Sequence, residues 1–427
     1  MNYSCMSILE LKEALVQNQK KYEEYKALDL KLDMSRGKPC PQQLDVSEDM
    51  LACISKNSDC FTDKGFDCRN YGLVDGLDDA KRIFSGIIGV PWENIIVGGN
   101  SSLNLMYDAM VRCMLYGVNG GNGPWIKQEK VKFLCPVPGY DRHFAICESL
   151  GIEMINIDMT NNGPDMNQVY EQIKDPAVKG IWCVPKYSNP DGITYSDQTV
   201  IALANMKPAS KDFRIFWDNA YAVHDLYDQT DELLNLYEQC VKAGNPNLPY
   251  IFTSTSKITY PGSGVSALGS SADNINYIKS LMQVQTIGHD KMNMLRHVKY
   301  FKTANGVKEY MKKHADILRP KFDCVLKTLE KELGSLGIAY WKVPKGGYFI
   351  GLNVMDGAAK RTVNLAKEAG VVLTGAGATF PYKHDPNDRN IRIAPSFPSL
   401  DELQKAIDIV CVCAKIACLE VLIDKKQ

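Results

Sequence analysis

Six short runs rich in apolar and aromatic residues, at residues 94–97, 131–135, 153–158, 180–185, 213–218 and 250–253, alternate with stretches patterned at helical spacing. A strand followed by a helix cannot return by a hairpin. It must cross over, and repeated crossovers of one hand build a mostly parallel sheet between layers of helices. Ligands of such open sheets sit at the carboxyl ends of the strands. Five of the six runs lead into Gly98-Gly99-Asn100-Ser101-Ser102, Pro138-Gly139-Tyr140, Asn189-Pro190, Asp218 and Ser254-Thr255-Ser256-Lys257.

Lys257 leaves an apolar run and enters the glycine-rich turn Pro261-Gly262-Ser263-Gly264. A lysine in that setting forms an imine with an aldehyde, while Ser254 and Ser256 offer hydroxyls to a phosphate beside it. An aldehyde and a phosphate on one small molecule describe pyridoxal phosphate (PLP), and the other strand ends match its remaining needs. Asp218, at the end of Phe213-Arg214-Ile215-Phe216-Trp217, suits a protonated ring nitrogen; taken alone it equally suits a helix N-cap. Tyr221 and Asn189 can donate to the ring's phenolic oxygen, although an isolated Asn-Pro step also marks a plain turn. Asn100, Ser101 and Ser102 follow a glycine turn into an amphipathic stretch, where exposed amides and a helix N-terminus suit a dianion; an ordinary N-cap serine remains the alternative. Tyr140, on a tight turn, can stack on the ring. Arg392 interrupts the apolar strand pattern of Asn390-Ile391-Arg392-Ile393, and a ligand carboxylate would relieve the cost of burying its fork.

The ordered set Arg36-Gly37-Lys38-Pro39, Tyr71-Gly72, Gly99 to Ser102, Pro138 to Tyr140, Asn189 to Gly192, Asp218 to Tyr221, Ser254 to Lys257 and Arg392 resembles the class I aminotransferases of PLP fold type I. Arg36 to Pro39, Ser254 to Thr259, Ile287 to Lys291 and Asp388 to Pro395 resemble more narrowly the divergent aspartate aminotransferases of subgroup Ic. The resemblance implies an α/β large domain, with a mostly parallel seven-stranded sheet flanked by helices, and a smaller α+β domain. It implies PLP as cofactor, Lys257 as the Schiff-base lysine and proton shuttle, and Asp218 as the pyridinium partner. Asn189 and Tyr221 would bind the phenolic oxygen, and Tyr140 would stack. The phosphate cup would comprise Asn100, Ser101, Ser102, Ser254 and Ser256, with Tyr71 reaching it from the other subunit of a homodimer with shared active sites. Arg392 would hold the substrate α-carboxylate beside the Gly37 backbone and Asn189.

The activity so implied is ping-pong transfer of an amino group between an amino acid, aspartate or glutamate, and a 2-oxo acid. Another substrate or another PLP reaction on this scaffold would keep nearly the same residues. A non-catalytic PLP-binding regulator would need a basic DNA-binding extension, and none precedes residue 30. One departure stands out: relatives carry a phosphate-pairing arginine eight residues after the lysine, where this chain has Val265, and Ser263 is the nearest substitute. A dicarboxylate also needs a distal cation. Arg36, Lys38, Lys291 and Arg296 lie in suitable segments, and spacing singles out none of them.

Composition narrows the setting. The 427 residues, 45% hydrophobic, suffice for a large core and more than one domain. We expect an N-terminal segment at 1–50 packing on the small domain, a large PLP-binding domain at 51–305 and a small domain at 306–427. The helical pattern at 290–336, the strand-like Gly347 to Leu352 and the capping box Ser399 to Glu402 mark the second unit. Lys plus Arg total 49 against 50 Asp plus Glu, so no basic field points to nucleic acid or a membrane surface. The 14 cysteines, with no signal-peptide pattern ahead of them, fit a reducing, cytoplasmic setting. Cys411-Val412-Cys413 reads as core packing; no Cys-x-x-Cys pair and only six histidines leave no metal site.

Overall fold

The computed structural model describes residues 2–427. The main sheet runs in the order Ile95–Val97, Ser266–Gly269, Pro249–Ser254, Arg214–Asp218, Val178–Cys183, Lys132–Val137, Glu153–Thr160 and Gly163–Pro164. All neighbouring pairs from Pro249–Ser254 through Glu153–Thr160 are parallel. Ser266–Gly269 is antiparallel to both its neighbours. Each central strand is buried along nearly its whole length because helices cover both faces.

The sheet has eight strands rather than the seven expected, because the two-residue Gly163–Pro164 pairs antiparallel with Met159 and Thr160 at the edge. The sequence pattern also passes over Ser266–Gly269, whose Ser-Ala-Leu-Gly composition lacks β-branched residues; pairing on both sides holds it in place. The helical pattern at 290–336 is two helices, Lys291–Phe301 and Ala304–Leu333. Lys302 breaks it at φ 63°, and Thr303 caps the second helix by accepting from the Gly306 amide.

A second sheet of three antiparallel strands, Ala339–Trp341, Ile350–Val354 and Asn390–Ile393, carries Arg392. The helices Ala304–Leu333 and Leu400–Lys426 share one hydrophobic core with Ile350–Val354 and Asn390–Ile393. That core also takes in Leu11 and Tyr22 of the N-terminal helix Ile8–Lys26, which starts on a complete capping box at Ser7 and Glu10. Tyr22 Oη donates to the Leu365 carbonyl at 3.1 Å. Cys411 and Cys413 lie wholly within this core, and burial pushes the Cys413 thiol up to about 12. Among the described residues no helix is long and apolar enough to cross a membrane.

Leu329 is fully buried on the inner face of Ala304–Leu333. Leu329→Ala leaves a cavity between the long helices and is expected to cost about 2–5 kcal/mol. Chemical denaturation measures it; a loss under about 1 kcal/mol would mean that the neighbouring side chains close the space.

Candidate active site

The carboxyl ends of the parallel strands open on a cavity of about 160 Å³. Lys257, Asp218, Tyr221 and Asn189 form part of its wall, with Tyr140 beside them. Ser101, Ser102, Ser254 and Ser256 line the rest.

Lys257 sits just past Pro249–Ser254, in a turn closed by the Ile258 and Thr259 amides donating to the Thr255 carbonyl. Its Nζ lies 5.0 Å from the centroid of the Tyr221 ring and 5.7 Å from that of Tyr348. Burial lowers its pKa, with the Asp218 carboxylate opposing and the Arg392 guanidinium adding to the fall. The amine is thereby brought nearer to the neutral, nucleophilic form.

Asp218 is the last residue of its strand, and its Oδ2 meets His143 Nε2 at 3.0 Å. His143 stacks on Trp182 at 4.2 Å with the planes 9° apart, which holds the imidazole in place. Asp218 Oδ1 is buried and has no hydrogen-bond partner. A buried carboxylate oxygen without a donor is costly, and Asp218 is part of the cavity wall. Tyr221 is buried, and burial raises its pKa well above the ordinary phenol value, so it is a neutral donor.

His143 escaped the sequence reading. The signal was its spacing: three residues after Tyr140, on the first turn of Asp141–Ser149, it shares a helix face with the ring-stacking candidate. The rings of Tyr140 and His143 meet edge to face at 4.9 Å.

The phosphate-cup candidates surround the N-terminus of Ser102–Tyr116, where Ser101 is the N-cap and makes no side-chain cap bond. Ser254 Oγ donates to Ser256 Oγ at 3.2 Å, and Ser256 Oγ to the Asn100 carbonyl at 2.9 Å. Gly264 is needed here, since a Cβ would come 2.6 Å from that carbonyl. Asn100 is exposed, and its side chain donates to the Pro261 carbonyl at 3.4 Å, so its side chain and its main-chain carbonyl both tie the two loops together. Val265 packs in the core with its amide on Thr255 Oγ1. Ser263 does not replace the missing arginine, because its hydroxyl is bonded to Asn293 and Arg296 on Lys291–Phe301, outside the cavity wall. The serine hydroxyls of the cavity wall and the free amides of a helix N-terminus are the groups there that can meet a dianion.

Arg392 is buried but not unpaired. Nη1 donates to Asp141 Oδ1 at 2.8 Å and to Asn189 Oδ1 at 3.4 Å, Nη2 to Thr374 Oγ1 at 3.1 Å, and Nε has no partner. The guanidinium lies 4.9 Å from the Phe349 ring centroid, and Gly37 packs against the same ring, where a Cβ would come 2.5 Å from Cζ. Tyr71 stands apart, 78% exposed. Of the four candidate distal cations none lines the cavity: Lys38 sits 3.7 Å over Phe397, Arg296 on Ser263 and Asn293, Lys291 is buried near the His289 carbonyl, and Arg36 is exposed.

Known proteins share this arrangement of elements. A family model described as aspartate amino-transferase matches residues 6–426. An aspartate aminotransferase of Corynebacterium glutamicum is 46% identical over 401 residues, covering 94% of this chain and 93% of its own. The crystal structure of an aspartate transaminase from the same species superposes with a TM-score of 0.96 at 44% identity, covering 99% of both chains. The α-aminoadipate aminotransferase LysN of Thermus thermophilus, at 17% identity and a TM-score of 0.73 over 98% of this chain, shares the fold. The match over nearly the whole chain, in sequence and in fold, shows that the chain belongs to the aspartate aminotransferase family of PLP fold type I.

Proposed function

We propose that the protein binds pyridoxal 5'-phosphate in this cavity and exchanges amino groups between aspartate or glutamate and their 2-oxo acids. The observation that carries the cofactor reading is Asp218 Oδ1, a buried acceptor with no donor among the protein's own groups. A protonated ring nitrogen supplies that donor, and His143 keeps the carboxylate turned toward it. The four serines and the amides opening Ser102–Tyr116 fit a phosphate. Bound there, the cofactor acts as an electron sink for a carbon that is losing a proton.

The chain's own groups do the rest. Lys257 Nζ would hold the cofactor between turnovers and, as a base whose pKa burial has lowered, would take the proton from the substrate α-carbon and deliver it to the cofactor carbon on the other side of the transferred nitrogen. Tyr221 and Asn189 donate to the ring oxygen, and Tyr140 covers a ring face. Arg392 offers its unpaired Nε to the α-carboxylate, with Gly37 at the Phe349 ring beside it. The dicarboxylate preference rests on the family and on the Corynebacterium glutamicum relative's name. In the same reading the protein is a homodimer in which exposed Tyr71 reaches the cup of a second copy, and the chain divides into units at 51–305 and 306–427, with 1–50 packed on the latter.

The test mixes cofactor-loaded protein with aspartate, glutamate, alanine and phenylalanine in turn and follows the cofactor's absorbance. Conversion to the amine form by aspartate and glutamate supports the reading; conversion by the other two alone overturns the substrate. Arg392→Lys loses the planar fork and leaves Asp141 with a single mobile charge. The KM for every amino acid substrate is expected to rise about 10- to 100-fold. A rise confined to dicarboxylates would move Arg392 to the distal end of the substrate.

A further inference from the structure

The main-chain carbonyl of Lys257 accepts hydrogen bonds from two side chains outside the cavity wall. Tyr348 Oη donates at 3.3 Å and His224 Nε2 at 3.4 Å. A carbonyl brings no proton, so His224 carries its hydrogen on Nε2, which leaves its buried Nδ1 without a partner. Burial and the nearby Lys257 charge depress the imidazole's pKa far below its ordinary value, so it is neutral.

Tyr348 is itself held. Gln43 Nε2 donates to Tyr348 Oη at 2.9 Å, and the amide's orientation follows from Gln43 Oε1 accepting the Cys40 amide at 3.1 Å. The second hydrogen of Gln43 Nε2 reaches His314 Nδ1 at 3.0 Å, which puts the His314 proton on Nε2, facing Tyr310 Oη at 3.2 Å. Tyr310 pairs with Ser47 at 2.5 Å. Gln43, Ser47 and Tyr348 are wholly buried. The chain joins the short helix Pro41–Asp45, the long helix Ala304–Leu333 and the turn before Ile350–Val354 to the lysine's backbone.

An apolar core would fill this space without demanding partners for so many polar atoms. What the polar version adds is direction, because each donor finds one acceptor and the sequence from Gln43 through Tyr348 ends on Lys257. We propose that Gln43 and Tyr348 are positioning residues for Lys257. They fix the root of its side chain toward the cavity and couple that orientation to the N-terminal segment bearing Gly37. The inference rests on Lys257 being the cofactor-bearing lysine. Four rotatable bonds separate Nζ from the backbone, and a displacement of about 1 Å at a reacting atom costs about 100-fold in rate.

The experiment uses Tyr348→Phe and Gln43→Leu as cofactor-loaded protein. Tyr348→Phe keeps the ring near Nζ and removes only the hydroxyl; Gln43→Leu keeps the hydroxyl and removes its holder, so it serves if the first variant fails to fold. We expect kcat to fall about 10-fold in each, a fraction of the cost of full misplacement. KM should stay within about 3-fold. The pH midpoint of the lysine-bound cofactor's absorbance should move by about half a unit or more. Asp218 and Arg392, the charged groups acting on the amine, are untouched in both variants, so the shift reads geometry. A lower thermal midpoint with kcat and the absorbance midpoint unchanged overturns the proposal and leaves the chain as packing. Borohydride trapping and peptide mapping of the wild-type protein identify the cofactor-bearing lysine independently, and a residue other than 257 overturns the underlying reading itself.

Discussion

Lys257→Ala is expected to abolish turnover, by roughly a million-fold, and to erase the absorbance of the lysine-bound cofactor. The size follows from two roles meeting in one atom. Nζ holds the cofactor covalently and moves the proton at the substrate α-carbon, and removing it deletes both at once. Lys257 is the lysine of the cavity wall, and the buried Lys186, outside that wall, is committed to Asp225 at 2.8 Å and to the Ala222 carbonyl. Cofactor should still bind noncovalently through the serine cup, and equilibrium dialysis checks this. Aminotransfer in the variant within about 100-fold of wild type would end the assignment of Lys257.

Asp218→Asn should retain the cofactor yet lose about 100- to 1,000-fold in kcat. The substitution keeps shape: an amide oxygen can still accept from His143, and the stack on Trp182 is undisturbed. It removes the negative charge that stabilises a proton on the ring nitrogen, and with it most of the electron withdrawal the reaction needs. KM should change little, because Asp218 makes no contact with substrate in this reading. A variant with kcat within about 3-fold of wild type would show that the orphaned Oδ1 serves another purpose.

The motifs at the strand ends were legible because chemistry and backbone position coincide there. Lys257, Asp218 and the two Ser-rich turns each close an apolar run, and the structure gathers them at one cavity. What failed was whatever depends on tertiary partners. Arg392 was recognisable as a buried cation, but its protein partner Asp141 lies 251 residues away, and no local pattern announces that pair. Asn100 lies on the right turn, and its bond to the Pro261 carbonyl, 161 residues on, has no local signal either. Ser263 sat at a reasonable spacing and was claimed by Arg296 of the following helix. His143 needed the rotation of a helix face to be worked out. The strand Ser266–Gly269 had no propensity of its own and exists through its neighbours.

The shared core of the two chain ends has a consequence for biosynthesis. Leu11 and Tyr22 pack with side chains of Leu400–Lys426, almost the full length of the chain away. During translation the helix Ile8–Lys26 is made long before its main packing partner, Leu400–Lys426, leaves the ribosome. The main sheet, drawn from residues 95–269, is complete well before that. The order of assembly is therefore sheet first and arm last, and the amphipathic arm spends most of synthesis exposed, the interval in which a chaperone has most to protect.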